Sequence, residues 1–161
     1  MEEDLTFEIT DSVFIVQGLY FFSSPVEKDY LIVYPFPSEN TYGHPFDIQV
    51  IDVNTSDTLA YKMADNQSSM AFTARISAQT QLYITYSQTL KSNKARYILM
   101  STRSWNKPLE RAEYKLLTDT NLVISGFSMP PGNTITVEGK HIYIWQKENF
   151  MPEKDFEVEF E

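Results

Sequence analysis

Cysteine is absent from this sequence of 161 residues. Disulfides, thiolate metal sites and cysteine nucleophiles are therefore excluded, whereas the redox state of the compartment is left open. Histidine is scarce as well, since only His44 and His141 occur. The two lie far apart in the sequence and no carboxylates cluster around either, so a zinc site is not predicted. We expect neither a metal nor a cofactor.

The sequence also lacks a long apolar run. No stretch approaches the roughly 20 residues that a membrane-spanning helix requires. Residues 1–4 are acidic, whereas a signal peptide would be basic and then apolar. We therefore expect a segment that carries no leader and does not insert into the membrane. Because residues 156–160 still read as a strand with no tail behind them, we interpret the sequence as a segment trimmed of a leader and of a downstream anchor.

Basic residues are outnumbered by acidic ones, with 13 Lys and Arg against 22 Asp and Glu and a net charge of −9. An acidic surface repels phosphate backbones, so no nucleic-acid partner is expected. Aromatic residues make up 14% of the chain and charged residues 22%, which gives enough apolar surface for folding. The length suits one domain spanning residues 1–161.

Apolar and polar residues alternate through most of the chain, as they do in half-buried strands. The pattern begins with Leu5, Phe7 and Ile9. It predicts further strands over residues 13–22, 30–34, 46–51, 58–63, 71–76, 81–86, 97–100, 112–117, 123–127, 134–137, 141–145 and 156–160. Gly18 interrupts the second run and predicts a bulge or a bend. The prolines of residues 35–37 predict an edge strand or a loop.

The segment after Trp105 has two interpretations. With Asn106 as cap and Pro108 in the first turn, it would form a short helix. Alternation from Ala112 to Leu116 would instead form a strand. We favour the strand, because the neighbouring segments are strands and residues 118–120 are poor helix formers.

Roughly ten short strands without a convincing helix predict an all-β fold. The spacing of the strands and turns is typical of an antiparallel β-sandwich of the immunoglobulin-like kind, with a barrel as the alternative. No internal repeat of fixed period is present, so a repeat architecture is not expected.

The segment Tyr97 to Ala112 carries the most distinctive pattern. We interpret it as a buried strand, Tyr97 to Met100, that ends in a corner at Trp105 and Pro108. The pattern Tyr-x-x-x-Ser-Thr-x-x-Trp-x-x-Pro-Leu-x-x-Ala resembles an uncharacterised family of exported bacterial proteins with a β-sandwich ectodomain. The resemblance implies export to the periplasm or cell surface and no known enzymatic activity. It assigns no functional residue.

Three residues are candidates for a binding site. Tyr42 and His44 lie in a predicted loop that combines aromatic rings with stiff backbone. Trp105 either fills a core corner, which we favour, or lies exposed as a binding platform. There is no nucleophile elbow, and the glutamates at 157 and 159 are interpreted as the solvated face of an edge strand, so no catalytic residue is predicted.

These observations lead to a hypothesis of function. We expect a non-enzymatic, exported module of the bacterial envelope with a structural or interaction role and a protein or glycan partner. The alternative is a carbohydrate-binding or carbohydrate-processing domain. A sugar site needs a platform with two or more exposed rings, whereas an interaction module needs only an exposed strand edge or apolar patch.

Overall fold

A computed structural model describes the backbone of residues 1–161 and every side chain except that of Glu39. Strands hold 61% of the residues and helices 6%, which confirms the all-β prediction. The strands are β1 (Glu2–Ile9), β2 (Val13–Phe22), β3 (Lys28–Pro35), β4 (Pro45–Asp52), β5 (Asp57–Thr58), β6 (Tyr61–Met63), β7 (Ser69–Ile76), β8 (Thr80–Thr89), β9 (Lys94–Tyr97), β10 (Leu109–Asp119), β11 (Ile124–Phe127), β12 (Asn133–Val137), β13 (Lys140–Phe150) and β14 (Phe156–Phe160). One short helix, α1 (Glu39–Tyr42), and one 3₁₀ segment (Met100–Trp105) interrupt them.

One large sheet spans the whole molecule. Its eight strands run in the order β12-β13-β10-β1-β2-β8-β4-β5. All neighbours are antiparallel except β1 and β10, which are parallel with Leu5 opposite Tyr114. Parallel strands need a long crossover connection, and here all the strands from β2 to β9 lie between them in sequence.

Two three-stranded sheets, β11-β14-β9 and β3-β7-β6, cover one face of the large sheet. Phe7 of β1 stacks on Phe156 of β14 with the ring centroids 4.4 Å apart. Tyr34 of β3 meets Tyr86 of β8 with the centroids 6.1 Å apart. The molecule is therefore a sandwich whose second layer is divided into two parts.

Alternation in β1 shows why the large sheet buries only one face. Leu5, Phe7 and Ile9 are at most 2% exposed, while the residues between them face outward. Outside, the Arg111 guanidinium of β10 pairs with the Asp4 carboxylate at 2.7 Å. A strand with one apolar and one charged side packs its apolar side against the second layer and leaves the charged side in water.

The division of the second layer determines where a site can form. β9 and β3 are edge strands of their respective sheets, and each has one paired neighbour. The edges meet through Tyr34 and Tyr97, whose hydroxyl oxygens are 3.2 Å apart. Next to this contact, the 3₁₀ segment and β3 border an open cleft.

Several strand predictions require correction. There are fourteen strands rather than roughly ten, and the β1–β10 pair is parallel. Tyr97 ends a strand instead of starting one, because β9 begins at Lys94 and the chain then turns into the 3₁₀ segment. β14 is the middle strand of its sheet, not an edge. The immunoglobulin-like assignment stays a prediction.

The strand preferred for the ambiguous segment is confirmed, since β10 runs from Leu109 to Asp119. The expected edge position of the prolines is also confirmed, because β3 ends at Pro35 and is an edge strand. In contrast, Gly18 forms no bulge, because β2 pairs with β1 and β8 in an unbroken register through this residue.

Gly18 serves a different purpose, which is to make room for a ring. A Cβ atom here would lie 2.5 Å from the Tyr20 hydroxyl oxygen and 2.6 Å from a ring carbon. We expect Gly18→Ala to lower the free energy of unfolding by about 1–3 kcal/mol, since Tyr20 is buried and must shift. Urea titration measures this loss. Gly126→Ala is the control, because its Cβ would come no closer than 4.0 Å to another atom, and equal losses in both variants would contradict the explanation.

Candidate functional site

The principal cleft lies between β3 on one side and the 3₁₀ segment with the start of β10 on the other. Its volume is about 760 Å³. A smaller cavity of about 80 Å³ lies beside it and is lined by Glu3, Tyr20 and Tyr97. Phe22, Val33 and Trp105 line both spaces, so the cleft and the cavity are neighbours with a shared wall.

β3 presents an open edge to the cleft. The Phe36 amide donates to the Ser68 carbonyl at 2.8 Å, in the same register as the pairs between β3 and β7. In an antiparallel pair every second residue bonds to the neighbour, so Tyr34 and Ile32 point their backbone groups toward β7. The N–H and C=O groups of residues 31 and 33 therefore point away from β7, along the free edge.

The side chains at these two edge positions are apolar and exposed. Leu31 is 73% and Val33 60% exposed, among the most exposed large apolar residues of the described part of the chain. Proteins generally protect a free edge with charges, prolines or bulges, because an apolar edge can pair with another chain. In β3 such residues lie at the two ends, with Lys28 and Asp29 at the start and Pro35 at the end, whereas Leu31 and Val33 in the middle have no such protection.

Three phenols join the two halves of the second layer. The Tyr20 hydroxyl lies 2.6 Å from that of Tyr97 and 2.9 Å from that of Tyr34, and the third side of the triangle measures 3.2 Å. In such a ring each hydroxyl can donate once and accept once. Burial raises the pKa of all three well above its ordinary value, so the phenols stay neutral at physiological pH.

Glu3 is the acidic group of this region. It is 3% exposed, and the Tyr114 hydroxyl donates to one of its carboxylate oxygens at 2.5 Å. Burial is the main cause that raises its pKa from an ordinary 4.5 to about 7, and the opposing hydrogen bond from Tyr114 only reduces the effect. Near neutral pH this carboxyl group is therefore close to half ionised.

Trp105 lies at the end of the 3₁₀ segment and lines the cleft. It is 43% exposed and packs on Phe22 with the centroids 5.5 Å apart. The preferred prediction of a buried corner is therefore wrong. Because Met100–Trp105 forms a 3₁₀ turn that ends at left-handed Asn106, the indole is carried out of the core toward the cleft.

The exposure of Trp105 sets the expected cost of removing it. We expect Trp105→Ala to lower the free energy of unfolding by only about 1 kcal/mol, well below the roughly 3–5 kcal/mol typical of a fully buried ring. Urea titration checks this. A loss of the larger size would mean that the indole supports the fold, and its role in the cleft would then need another explanation.

Tyr42 and His44 do not join this cleft. Tyr42 is buried, and its hydroxyl donates to the Glu157 carboxylate at 2.7 Å. His44 is exposed and follows Gly43, whose carbonyl accepts from the Gln88 amide at 3.2 Å. Tyr42 ends α1, so the predicted loop is helical up to this residue. Neither candidate lines the cleft that holds Trp105.

The two glutamates of β14 that the sequence placed on a solvated face both have partners. Glu157 accepts from Tyr42, and Glu159 pairs with Lys94 at 2.6 Å. Among those side chains, no group of three or more histidines and acids comes together to hold a metal ion. In the same described residues, no helix is long and apolar enough to cross a membrane.

Sequence reasoning missed Glu3 and the phenols. A usable signal was present, because Glu3 precedes Leu5, Phe7 and Ile9 at period two and therefore belongs to their inward face. A carboxylate in an inward position is uncommon and suggests a role beyond packing. The contacts among Tyr20, Tyr34 and Tyr97 were not visible, since they depend on how three sheets meet.

Comparison with known proteins supports the architecture. No protein-family model matches the sequence, and no curated protein matches it either. Among solved structures, it is similar to a protein of Legionella pneumophila described as a "putative nutrient binding protein", with a TM-score of 0.68 and 12% sequence identity. The match covers 99% of this chain and 65% of that one. At this identity the likeness concerns the fold alone.

Proposed function

We propose that this protein is a non-enzymatic interaction module, exported to the bacterial envelope, that binds an extended segment of a partner protein along the free edge of β3. The open edge of Leu31 and Val33 is the observation that carries the proposal. Support for export comes from the sequence pattern around Trp105. The binding role agrees with the description of the Legionella protein of similar fold.

The geometry favours an extended segment as the ligand. An incoming strand would bond to the free N–H and C=O groups of residues 31 and 33, as in other cases of strand addition. Its side chains would alternate, so that every second one would enter the cleft of about 760 Å³. Leu31 and Val33 would lose their exposure to water, which favours binding.

A glycan is the alternative ligand. Sugar platforms combine two or more exposed rings with convergent polar groups, whereas Trp105 is the one ring among the exposed large apolar residues that line this cleft. The cleft has two further rings, Phe22, which lies against Trp105, and Tyr30, and both are only partly exposed. The cleft therefore fits the interaction module better than the carbohydrate-binding domain.

Selection of peptides tests the proposal. A phage-displayed library of random linear peptides is selected on the wild type, and the enriched peptides are then measured on Val33→Pro. This substitution removes the edge-facing N–H but not a bond to β7, so the fold should persist. We expect enriched peptides with alternating apolar residues that lose at least tenfold in affinity on Val33→Pro.

A matched variant separates the backbone from the side chain. Val33→Thr keeps the N–H group and nearly the same shape, so binding should decrease far less than on Val33→Pro. Circular dichroism and urea titration verify that both variants fold. If no peptide is enriched, or if the enriched peptides bind Val33→Pro as well as the wild type, strand addition at β3 is wrong.

A further inference from the structure

The small cavity beside the cleft has the size and walls of a binding pocket. A buried water needs roughly 10–15 Å³ of such volume, so a cavity of about 80 Å³ holds more than one water or a small head group. Ile32 and Leu99 give it apolar walls, and Glu3 with the three phenols of Tyr20, Tyr34 and Tyr97 gives it a polar end. Through Phe22 and Trp105 it borders the cleft where the partner segment would lie.

Glu3 and Asp52 are the two buried acids among the described side chains, and they are held differently. Asp52 accepts from the backbone amides of Asn54 and Thr55 at 2.9 and 3.4 Å, whereas Glu3 lines the cavity and accepts from the Tyr114 hydroxyl. Among the ion pairs of the described side chains, none includes Glu3. Buried carboxylates are normally paired or bound to a cation. The ammonium group of Met1, a residue that also lines the cavity, pairs with Glu110 at 3.4 Å and not with Glu3, so Glu3 is left without a counter-ion.

We propose that the pocket binds the ammonium group of a lysine side chain, with the Glu3 carboxylate as its counter-ion. A linear aliphatic stem suits the apolar walls, and the lone pairs of the Tyr20 and Tyr97 hydroxyls can accept from the three ammonium protons. Phenol rings attract cations as well. An anionic head group would face Glu3 directly and is excluded by repulsion.

The lysine would belong to the extended segment bound along β3, and this part of the inference rests on the proposed function. A lysine carries four methylenes before its ammonium group, which allows the charge to reach inward from a strand at the cleft. The preference of the pocket for a linear primary amine does not depend on that segment. It can be tested with a free amine alone.

The affinity should depend on pH, because binding requires the ionised form of Glu3. The titratable groups around it are the phenols of four tyrosines, which stay neutral, the Asp4 carboxylate, and the Met1 ammonium, which pairs with Glu110. The four tyrosines are Tyr20, Tyr34, Tyr97 and Tyr114. A pKa of about 7 for Glu3 makes it about one tenth ionised at pH 6 and nine tenths at pH 8, while an alkylamine stays protonated at both. Amine affinity should therefore rise about tenfold between these values.

The experiment uses n-pentylamine, which matches the lysine side chain with its Cα, and n-pentanol as the neutral control. The chain has two indole N–H groups, which report separately in nitrogen-correlated NMR spectra. Trp105 lines the cavity, whereas Trp145 is buried with its N–H donating to the Met129 carbonyl. We expect n-pentylamine to shift the Trp105 signal in a saturable way, leave Trp145 unchanged, and bind at least tenfold more tightly than n-pentanol.

Glu3→Gln provides the decisive variant, since it keeps the shape and the acceptor for Tyr114. It should abolish both the preference for the amine and the rise with pH. Equal binding of amine and alcohol, or an unchanged affinity in Glu3→Gln, would overturn the ammonium pocket. The absence of any saturable shift of the Trp105 signal would overturn it as well.

Two peptides distinguish this inference from the proposed function. Among the edge-binding peptides, one with lysine at its central position is compared with the same peptide carrying norleucine there. On the wild type, the lysine peptide should bind at least tenfold more tightly than the norleucine peptide. On Glu3→Gln, the two peptides should bind equally. If both peptides bind the wild type equally, strand addition survives while the lysine pocket fails; if only the free amine binds, the pocket survives without the strand.

Discussion

Phe7→Ala should lower the free energy of unfolding by about 3–5 kcal/mol, which is a large part of the total for a domain of this size. Phe7 is 0% exposed and touches both layers of the sandwich. Its ring stacks on Phe156 at 4.4 Å and lies 5.4 Å from Tyr97 between centroids. Because these neighbours are held by separate strands, the space left behind cannot close.

The matched control is Phe46→Ala. Phe46 is 40% exposed in β4, so its removal should cost well under the loss at Phe7. Urea titration of the wild type and both variants measures the two values, provided that the free energy of unfolding decreases with urea concentration at the same slope in all three. Losses of equal size would mean that the packing between the large sheet and β14 is not central to the fold.

Glu3→Gln should stabilise the protein, and the gain should grow with pH. In the folded state the pKa of Glu3 is raised to about 7 from an ordinary 4.5. The protonated acid is therefore favoured by folding, and its contribution is complete below about pH 4.5 and lost as the pH rises to about 7. The shift in pKa corresponds to a loss of roughly 3 kcal/mol in the free energy of unfolding at high pH. The uncharged Gln side chain of the variant would not cause this loss.

Urea titration at pH 5 and pH 8 measures this effect. We expect the variant to exceed the wild type by about 1 kcal/mol at pH 5 and by roughly 3 kcal/mol at pH 8. Glu159→Gln serves as the control, because Glu159 is exposed and its replacement should change stability little at either pH. A difference between wild type and Glu3→Gln that stays constant with pH would contradict the burial of an unpaired carboxyl group.

The strands were largely predictable from the sequence because alternation records burial directly. Leu5, Phe7 and Ile9 identify the inward face of β1, and the same rule places Phe156 and Val158 of β14, which are 1% and 0% exposed. Alternation does not show which strands pair with one another. The parallel partner of β1 lies at β10, and the central position of β14 follows from its pairing with both β9 and β11.

The cleft could not be predicted for the same reason. Whether a strand has an open edge depends on which other strands pair with it, and the sequence of the strand does not show this. Leu31 and Val33 therefore read as part of an ordinary apolar strand. Trp105 was correctly identified as a candidate, but its exposure depends on the 3₁₀ turn before it. Tyr42 was predicted as an exposed binding residue, but its ring is buried and its hydroxyl donates to Glu157.

Amide hydrogen exchange, with and without a peptide enriched on the wild type, tests strand addition at β3 most directly. The free protein should exchange the Leu31 and Val33 amides quickly, since they point away from β7, and the Tyr34 amide slowly. Bound peptide should slow the Leu31 and Val33 amides at least tenfold. Unchanged exchange at both residues, with protection appearing instead in the loop of Tyr42 and His44, would contradict the proposed binding edge.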